Sequence, residues 1–251
     1  MRLEGKVGVV TGGSRGIGRS VALAFAEEGA DVVVNYVSRP DEARAVGEAI
    51  RKMGRRAIEV KADVSRRKEV EHLFAASWEH LGSVDVLVNN AGIETIVPVM
   101  DLTDEQWRRV NEVNLYGTWL CSQVFARRLV DERRPGAIVN MGSIQAGLAL
   151  PGRTHYAPTK RGVEALTENL ASELAEHAIR VNCVHPGVIE TDMTQWVIGN
   201  PEVLPVVLAK IPLGRQGQPE EVAPITVLLA SDDASYITGQ HIYVDGGMRI
   251  V

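Results

Sequence analysis

The chain has 251 residues, 45% of them hydrophobic, and a formal net charge of −5 at pH 7. This length and apolar content suit one domain with a substantial core. The net charge is negative and residues of both signs are mixed along the chain, which gives no reason to expect nucleic-acid binding. No apolar run is long enough to span a bilayer and residues 1–10 lack the apolar core of a signal peptide, so we expect a cytoplasmic protein without membrane partners.

Short apolar runs alternate with longer amphipathic stretches along the whole chain. The runs predict strands at 6–11, 32–36, 57–62, 85–89, 136–141, 179–184 and 241–244. The stretches predict helices at 16–28, 40–53, 66–80, 103–130, 154–177 and 219–230. Continuous β-branched runs indicate strands that are buried on both faces. The predicted fold is α/β: a single-domain, Rossmann-type, doubly wound parallel sheet of about seven strands with helices on both faces.

A glycine-rich turn, Thr11-Gly12-Gly13-Ser14-Arg15-Gly16-Ile17-Gly18, separates the first strand from the first helix. Glycines at this point permit a tight turn and a close approach of the backbone to a pyrophosphate. The helix N-terminus adds free N–H groups and a partial positive charge. The glycines alone also fit an ordinary strand-to-helix turn, so the dinucleotide reading depends on the motifs downstream.

The second strand ends in Asn35, where enzymes that bind NAD in this way usually carry an acidic residue for the ribose 2′-hydroxyl. Tyr36, Ser38 and Arg39 follow. No carboxylate is present there to repel a 2′-phosphate, and Arg15 and Arg39 can both reach one. The sequence therefore predicts NADP(H) as the preferred cofactor, with NAD(H) possible. The alternative is that both arginines face solvent.

Two features of the later chain concern a lid and the cysteines. Residues 190–215 break the alternation and are rich in Pro, Gly and polar residues, which predicts a lid over the active site or a surface excursion. Cys121 and Cys183 belong to no Cys-x-x-Cys pair, and no histidines are grouped at ligand spacing. We therefore expect two buried thiols and no metal.

Tyr156 and Lys160 form the most informative pair in the chain, and Ser143 precedes Tyr156 by thirteen residues. Four residues apart on a helix, the phenol and the ammonium share one face. The Lys charge would then favour phenolate and pull the Tyr pKa down from about 10. Such a pair suits proton transfer to a carbonyl or from an alcohol, but the spacing by itself is common.

In order and spacing, the motifs resemble those of the short-chain dehydrogenase/reductase family over essentially the whole chain. They are Val10-Thr11-Gly12 through Gly18, Asn89-Asn90-Ala91-Gly92, Val113-Asn114-Leu115-Tyr116-Gly117, Ser143 with Tyr156 and Lys160, Pro186-Gly187 and Asp245-Gly246-Gly247. The resemblance implies that Tyr156 transfers the proton, Ser143 hydrogen-bonds the substrate oxygen and Lys160 holds the nicotinamide ribose. It also implies that Asn114 anchors a water behind Lys160.

The resemblance implies the cofactor contacts as well. Asp63 and Val64 would flank the adenine, and Asn90, Ala91 and Gly92 would line the ribose. Pro186, Val188 or Ile189, and Thr191 would meet the nicotinamide. With the glycine turn and the second strand, the predicted cofactor set is Gly12, Ser14, Arg15, Gly16, Ile17, Gly18, Asn35, Tyr36, Ser38, Arg39, Asp63, Val64, Asn90, Ala91, Gly92, Tyr156, Lys160, Pro186, Gly187, Ile189 and Thr191.

For the substrate, the sequence is most similar to the glucose or aldose 1-dehydrogenase branch. That resemblance places Glu94, Gln145 and His155 beside Ser143 and Tyr156 as contacts to a sugar or polyol, although Gln145 stands where the branch often has His. The alternative is a 3-oxoacyl-thioester reductase, with the arginines at 127, 128, 133 and 134 as a patch for an acidic carrier protein. A non-catalytic cofactor-binding regulator is a minor alternative.

The family commonly forms tetramers, and the resemblance therefore implies a homotetramer. The helix at 154–177 and the apolar ending at 248–251 are the candidate interface segments, since apolar ends seldom remain exposed.

Overall fold

Seven parallel strands form a single sheet in the computed structural model, which describes residues 1–251. They are β1 (Val7–Val10), β2 (Asp31–Tyr36), β3 (Ala57–Lys61), β4 (Val86–Asn89), β5 (Gly136–Met141), β6 (Ile179–Pro186) and β7 (His241–Val244). Their order across the sheet is β3-β2-β1-β4-β5-β6-β7, and every neighbouring pair is parallel. The predicted doubly wound α/β fold is confirmed.

Nine α-helices connect and cover the strands. They are α1 (Gly16–Glu27), α2 (Pro40–Lys52), α3 (Arg67–Leu81), α4 (Asp104–Asn111), α5 (Gly117–Glu132), α6 (Tyr156–Leu174), α7 (Gln195–Ile198), α8 (Val203–Leu208) and α9 (Pro219–Ala230). The sequence predicts one helix over 103–130, and the structure has α4 and α5 joined by a π-helical turn at Glu112–Tyr116. Such turns insert one extra residue into the helix and are frequent at functional sites.

The helices cover the two faces of the sheet because the strands carry apolar side chains on both. From β2, Val32 and Val34 point into a core shared with α1, α2 and α9. Val33, between them, points into a second core, shared with α3 and α5. Fully buried phenylalanines anchor both layers, Phe25 on α1 and Phe125 on α5. Each such ring stabilises the fold by about 2–3 kcal/mol relative to an exposed one.

The strand order places a topological switch point beside β1. From β1 the chain moves outward to β2 and β3, and then returns across the sheet to β4 on the other side of β1. The loops that leave the carboxyl ends of β1 and β4 therefore diverge and open a crevice between them. The loops after β5 and β6 end at the same edge, so four separate parts of the sequence meet there.

Residues 190–215 fold back over this edge of the sheet. They contain a short 3₁₀ turn at Asp192–Thr194 together with α7 and α8.

At the chain end, Met248 is buried, whereas Ile250 and Val251 are 84% and 78% exposed. None of the helices combines the length and the apolar character that crossing a membrane requires. The homotetramer stays a prediction.

Candidate active site

A cleft of about 530 Å³ opens at the carboxyl edge of the sheet, where the four loops meet. Most of the predicted site residues line it: Gly12, Ser14, Arg15, Gly16, Ile17, Gly18, Tyr36, Ser38, Asp63, Val64, Asn90, Ala91, Gly92, Glu94, Ser143, Tyr156, Lys160, Pro186, Gly187, Ile189 and Thr191. Asn35, Arg39, Asn114, Gln145 and His155 are not part of the lining.

The glycine turn forms the floor of one end of the cleft. Gly12 and Gly16 adopt positive φ values of 62° and 53°, which L side chains rarely tolerate. A Cβ on Gly18 would come within 2.3 Å of the carbonyl oxygen of Gly12. The helix α1 begins at Gly16, and the side chain of its N-cap residue, Arg15, does not cap it. The first N–H groups of the helix are therefore available to an anion, and this end fits a pyrophosphate.

Asn35 supports this turn and does not face the cleft. Its side chain is 1% exposed, accepts a hydrogen bond from the N–H of Gly12 at 3.1 Å, and donates to the carbonyls of Val60 and Ala62 at 3.2 and 2.9 Å. Successive side chains of a strand point to opposite sides, so Tyr36 reaches the cleft while Asn35 turns inward. The structure thus places Asn35 behind the predicted ribose contact and not at it.

The two arginines predicted to read the cofactor both meet a carboxylate that the sequence analysis did not single out. Arg15 Nη1 lies 2.5 Å from Oδ2 of Asp192, and Arg39 Nη2 lies 3.7 Å from the same oxygen. Arg39 is also paired with Glu42 at 2.8 Å. Since Arg15 and Asp192 both line the cleft, the positive charge at this end is partly neutralised by the 190–215 segment.

A second unpredicted ion pair lies at the adenine end. Arg109 Nη2 lies 2.8 Å from Oδ2 of Asp63, and Ser65 also donates to this carboxylate. Burial alone would raise the pKa of Asp63, but the hydrogen bonds from Ser65 and Arg109 lower it. Asp63 is therefore a fixed anion and hydrogen-bond acceptor at the position where the family resemblance implies an adenine contact.

Ser143, Tyr156 and Lys160 converge at the opposite end of the cleft. Ser143 lies just after β5, separated from it by Gly142, Tyr156 is the first residue of α6, and Lys160 is one turn further along the same helix. All three are nearly buried, with exposures of 8%, 5% and 5%. The Lys160 ammonium donates to the carbonyl of Met141 at 2.8 Å and lies 5.7 Å from the centre of the Tyr156 ring.

The electrostatics of this group differ from the expectation drawn from the Tyr–Lys spacing. Burial raises the pKa of Tyr156 well above its usual value, the negative charge of Glu94 adds to this, and the hydrogen bond with Ser143 opposes it. Burial also lowers the pKa of Lys160 to about 8. The expected lowering of the Tyr156 pKa is therefore not found: desolvation is the largest effect, and the effects that oppose it come from Ser143 and Arg153 and not from Lys160.

Asn114 lies behind Lys160, on the π-helical turn. Its side-chain oxygen accepts from the N–H of Ile93 at 2.9 Å, and its amide donates to the carbonyl of the same residue at 2.9 Å. The amide also lies 3.3 Å from the hydroxyl of Thr159. Because it ties the loop after β4 to α6, Asn114 fixes the wall of the cleft against the helix that carries Tyr156.

The wall next to Tyr156 contains a buried ion pair that the sequence did not reveal. Glu94, from the loop after β4, is paired with Arg153, from the loop before α6, and their side chains are 7% and 3% exposed. Gln145 donates to Glu94 at 3.4 Å, while its own buried carbonyl oxygen lacks a partner. The guanidinium of Arg153 stacks on Trp196 of α7 at 5.0 Å. Three loops therefore meet at Arg153.

His155 does not join this wall. It is fully buried, and its Nε2 lies 2.6 Å from the hydroxyl of Thr95. Burial lowers its pKa, and the charge of Arg153 acts in the same direction. The structure therefore places His155 beneath the loop after β4, where it contacts Thr95 and does not line the cleft.

The whole arrangement is a dinucleotide-sized cleft with an anion cradle at one end and a buried Tyr-Ser-Lys group at the other. A phenol beside a hydroxyl can exchange a proton with an oxygen atom on a substrate, but it cannot move electrons. A dinucleotide that spans the cleft would supply the redox chemistry that these side chains lack. Fold and site together define a nucleotide-dependent oxidoreductase.

Comparison with known proteins narrows this class. Residues 12–249 match the family described as enoyl-(acyl carrier protein) reductase. A 3-oxoacyl-[acyl-carrier-protein] reductase from Staphylococcus epidermidis is 43% identical over 243 residues, which cover 97% of this chain and 98% of the relative. The chain belongs to the short-chain dehydrogenase/reductase family, and it is an enzyme that acts on CH–OH groups with a nicotinamide cofactor.

Two solved structures show how closely the fold is shared. A gluconate 5-dehydrogenase from Burkholderia cenocepacia in complex with NADP and tartrate has a TM-score of 0.94 at 31% identity, covering 100% of this chain and 97% of that one. A 7α-hydroxysteroid dehydrogenase complexed with NADH and 7-oxo glycochenodeoxycholic acid has a TM-score of 0.93 at 35% identity, covering 98% and 95%. Similar folds thus serve different substrates and both cofactors.

Proposed function

We propose that the protein oxidises a secondary alcohol of a sugar or polyol, or reduces the corresponding carbonyl, and that it prefers NADP(H) to NAD(H). The observation that carries the substrate class is the buried Glu94–Arg153 pair beside Tyr156, in which Glu94 lines the cleft. Charged and polar groups at such depth favour a ligand with hydroxyl groups, because only hydrogen bonds offset the cost of their burial.

In the proposed reaction, each residue of the site has a separate role. The nicotinamide supplies the hydride chemistry when it is bound. Tyr156 gives a proton to the substrate oxygen or takes one from it, and the Ser143 hydroxyl holds that oxygen in place. Lys160 hydrogen-bonds the nicotinamide ribose, while Asn114 keeps the loop after β4 against α6. The N-terminus of α1 holds the pyrophosphate.

We also propose that 190–215 acts as a lid. Its Asp192 contacts Arg15 at the cofactor end, and its Trp196 stacks on Arg153 at the substrate end. A segment that touches both ends of the cleft is well placed to exclude water when both ligands are bound. Arg153 then links the substrate pocket with the lid.

The relatives support two substrate readings. The gluconate 5-dehydrogenase supports a polyhydroxylated substrate, and the Staphylococcus relative supports an oxoacyl thioester. Two of the four arginines suggested as a carrier-protein patch are engaged within the chain: Arg128 pairs with Glu132, and Arg134 lies 2.6 Å from Asp85. This neutralisation weakens the thioester reading, which remains the second candidate.

Nicotinamide absorbance measured against aldoses, polyols, sugar acids, small ketones and oxoacyl thioesters tests the substrate class. We expect a sugar or polyol to be turned over best, and Glu94→Gln to raise its KM at least tenfold while the KM of a small ketone changes little, since a site that binds hydroxyls discriminates through them. The matched control is Glu176→Gln, an exposed carboxylate outside the cleft. An oxoacyl thioester turned over tenfold more efficiently than every sugar would establish the reductase reading instead.

The cofactor preference has its own test in Arg15 and Arg39. We expect Arg15→Ala with Arg39→Ala to weaken NADP(H) binding by about 10- to 100-fold and NAD(H) binding much less, because each substitution removes a charged hydrogen-bond donor to the 2′-phosphate, an interaction that solvent screening limits. Fluorescence titration with both cofactors measures the effect.

Asp192→Asn provides the complementary measurement. It leaves both arginines in place and removes the carboxylate that they contact. We expect tighter NADP(H) binding in this variant. Equal losses for the two cofactors in the arginine variant would show that these side chains do not recognise the 2′-phosphate.

A further inference from the structure

A group of potential metal ligands lies between the edge of the sheet and α6, outside the cleft. In the strand register, Cys183 and His185 of β6 pair with His241 and Tyr243 of β7. The ligand atoms of Cys183, His185 and His241 all lie within 4.8 Å of one another. Glu164 of α6 faces them, with its Oε1 3.6 Å from Nε2 of His185. Sequence spacing did not predict this group, because His241 comes from a distant strand.

The separations between these atoms suit a small divalent cation. Nε2 of His185 lies 3.1 Å from Nδ1 of His241 and 3.6 Å from Oε1 of Glu164. A tetrahedral Zn²⁺ with bonds of about 2.0–2.2 Å to nitrogen and oxygen holds its ligand atoms about 3.3–3.6 Å apart. Both separations from Nε2 of His185 are therefore close to those that one shared ion requires.

The outer nitrogens of both histidines point to oxygen acceptors. Nδ1 of His185 lies 3.1 Å from the carbonyl of Ser143, and Nε2 of His241 lies 3.1 Å from Oε1 of Glu168. If each outer nitrogen donates, the two inner nitrogens face each other with lone pairs, which repel unless a cation lies between them. Metal-binding histidines characteristically donate their other N–H to a carbonyl or carboxylate in this manner.

A second tautomer needs no metal. The N–H of Ser143 lies 3.2 Å from Nδ1 of His185, so that nitrogen can accept while Nε2 donates to His241. The two arrangements therefore differ in whether a cation occupies the space between the rings. Metal binding distinguishes them directly.

The carboxylate of Glu164 is positioned to act as a third ligand. Its Oε1 accepts from the hydroxyl of Tyr243 at 3.1 Å, its other oxygen is paired with Arg161, and its side chain is 7% exposed. These contacts fix the carboxylate facing His185.

We propose that His185, His241 and Glu164 bind Zn²⁺. Two imidazoles and one carboxylate favour zinc over magnesium or calcium, which prefer oxygen ligands alone. None of the three residues lines the cleft, so the ion would not touch the substrate. It would hold the backbone of Ser143 through His185. The proposal goes beyond the oxidoreductase activity, and its test does not depend on turnover.

Calorimetric titration of the tag-free, chelator-treated full chain with Zn²⁺ tests the proposal. We expect one ion per chain and no response to Mg²⁺. His241→Gln and Glu164→Gln should each weaken Zn²⁺ binding about 100-fold, because loss of a ligand exceeds the 10- to 100-fold effect of losing an outer-shell partner. His177→Gln is the matched control, since His177 is partly exposed and lies outside the group.

A second variant covers the case in which a ligand substitution prevents folding. Tyr243→Phe removes only the hydrogen bond to Glu164 and should weaken Zn²⁺ binding about tenfold. Far-UV circular dichroism and retained cofactor binding establish that each variant is folded. No Zn²⁺ binding by the wild type, or equal affinity in the wild type and all folded variants of the group, would overturn the proposal and leave the histidines sharing a proton only.

Discussion

Tyr156→Phe should lower kcat by at least about 10²-fold and leave cofactor affinity within about a factor of three, because only the transferable proton is removed. The side chain is 5% exposed, and its ring lies against the cleft wall and Lys160. Phenylalanine keeps that packing and loses only the hydroxyl. Steady-state kinetics with the best substrate and fluorescence titration of the cofactor measure the two quantities separately.

Tyr236→Phe is the matched control, since Tyr236 is fully exposed and distant from the cleft. The pH profile gives a second readout. Because burial raises the pKa of Tyr156, kcat/KM for alcohol oxidation, which requires the phenolate as base, should keep rising on the alkaline side of neutrality. More than about a tenth of the wild-type rate in a folded Tyr156→Phe would show that another group transfers the proton.

Lys160→Met should abolish turnover and weaken cofactor binding, yet stabilise the cofactor-free protein. The ammonium is buried, and burial lowers its pKa to about 8 from the ordinary 10.5. Below pH 8 the folded state therefore carries a charged group at a free-energy cost that methionine, of similar length, does not incur. We expect about 1–3 kcal/mol of added stability at neutral pH, reduced somewhat because the carbonyl of Met141 loses its donor.

The sign of the pH dependence follows from the direction of this shift. Between about pH 8 and 10.5 the unfolded chain binds the Lys160 proton and the folded chain releases it, so wild-type stability rises with pH in that window. The methionine variant should lack this rise. Chemical denaturation of both proteins at pH 7 and pH 9 measures the difference. A variant less stable than the wild type at pH 7 would show that the ammonium is well solvated or paired.

The sequence was sufficient for the fold because the relevant signals are local. The run Val32-Val33-Val34 sends side chains into both cores, and only a strand covered on two faces uses such a run. The glycine turn and the Tyr156–Lys160 spacing are equally local, since each depends on a few consecutive residues. Because each motif follows a strand of a parallel sheet, their order in the sequence predicts that they meet at one edge of that sheet.

Tertiary structure alone decided which side chains meet. Arg153 reaches Glu94, and Asp192 reaches Arg15, across separate loops whose approach depends on packing and leaves no pattern in the sequence. His155 directly precedes Tyr156 but is fully buried and turned towards Thr95.

The protonation states of Tyr156 and Lys160 also depend on the tertiary structure. The Tyr–Lys spacing correctly brings the two side chains together, but the pKa values depend on desolvation, which is set by the whole wall of the cleft. His185 and His241 meet only because β6 and β7 are neighbours in the sheet, a pairing fixed by the course of the chain between them. The sequence by itself determined the fold, the glycine turn and the approach of Tyr156 to Lys160. Packing between distant segments determined the charges and contacts that surround it.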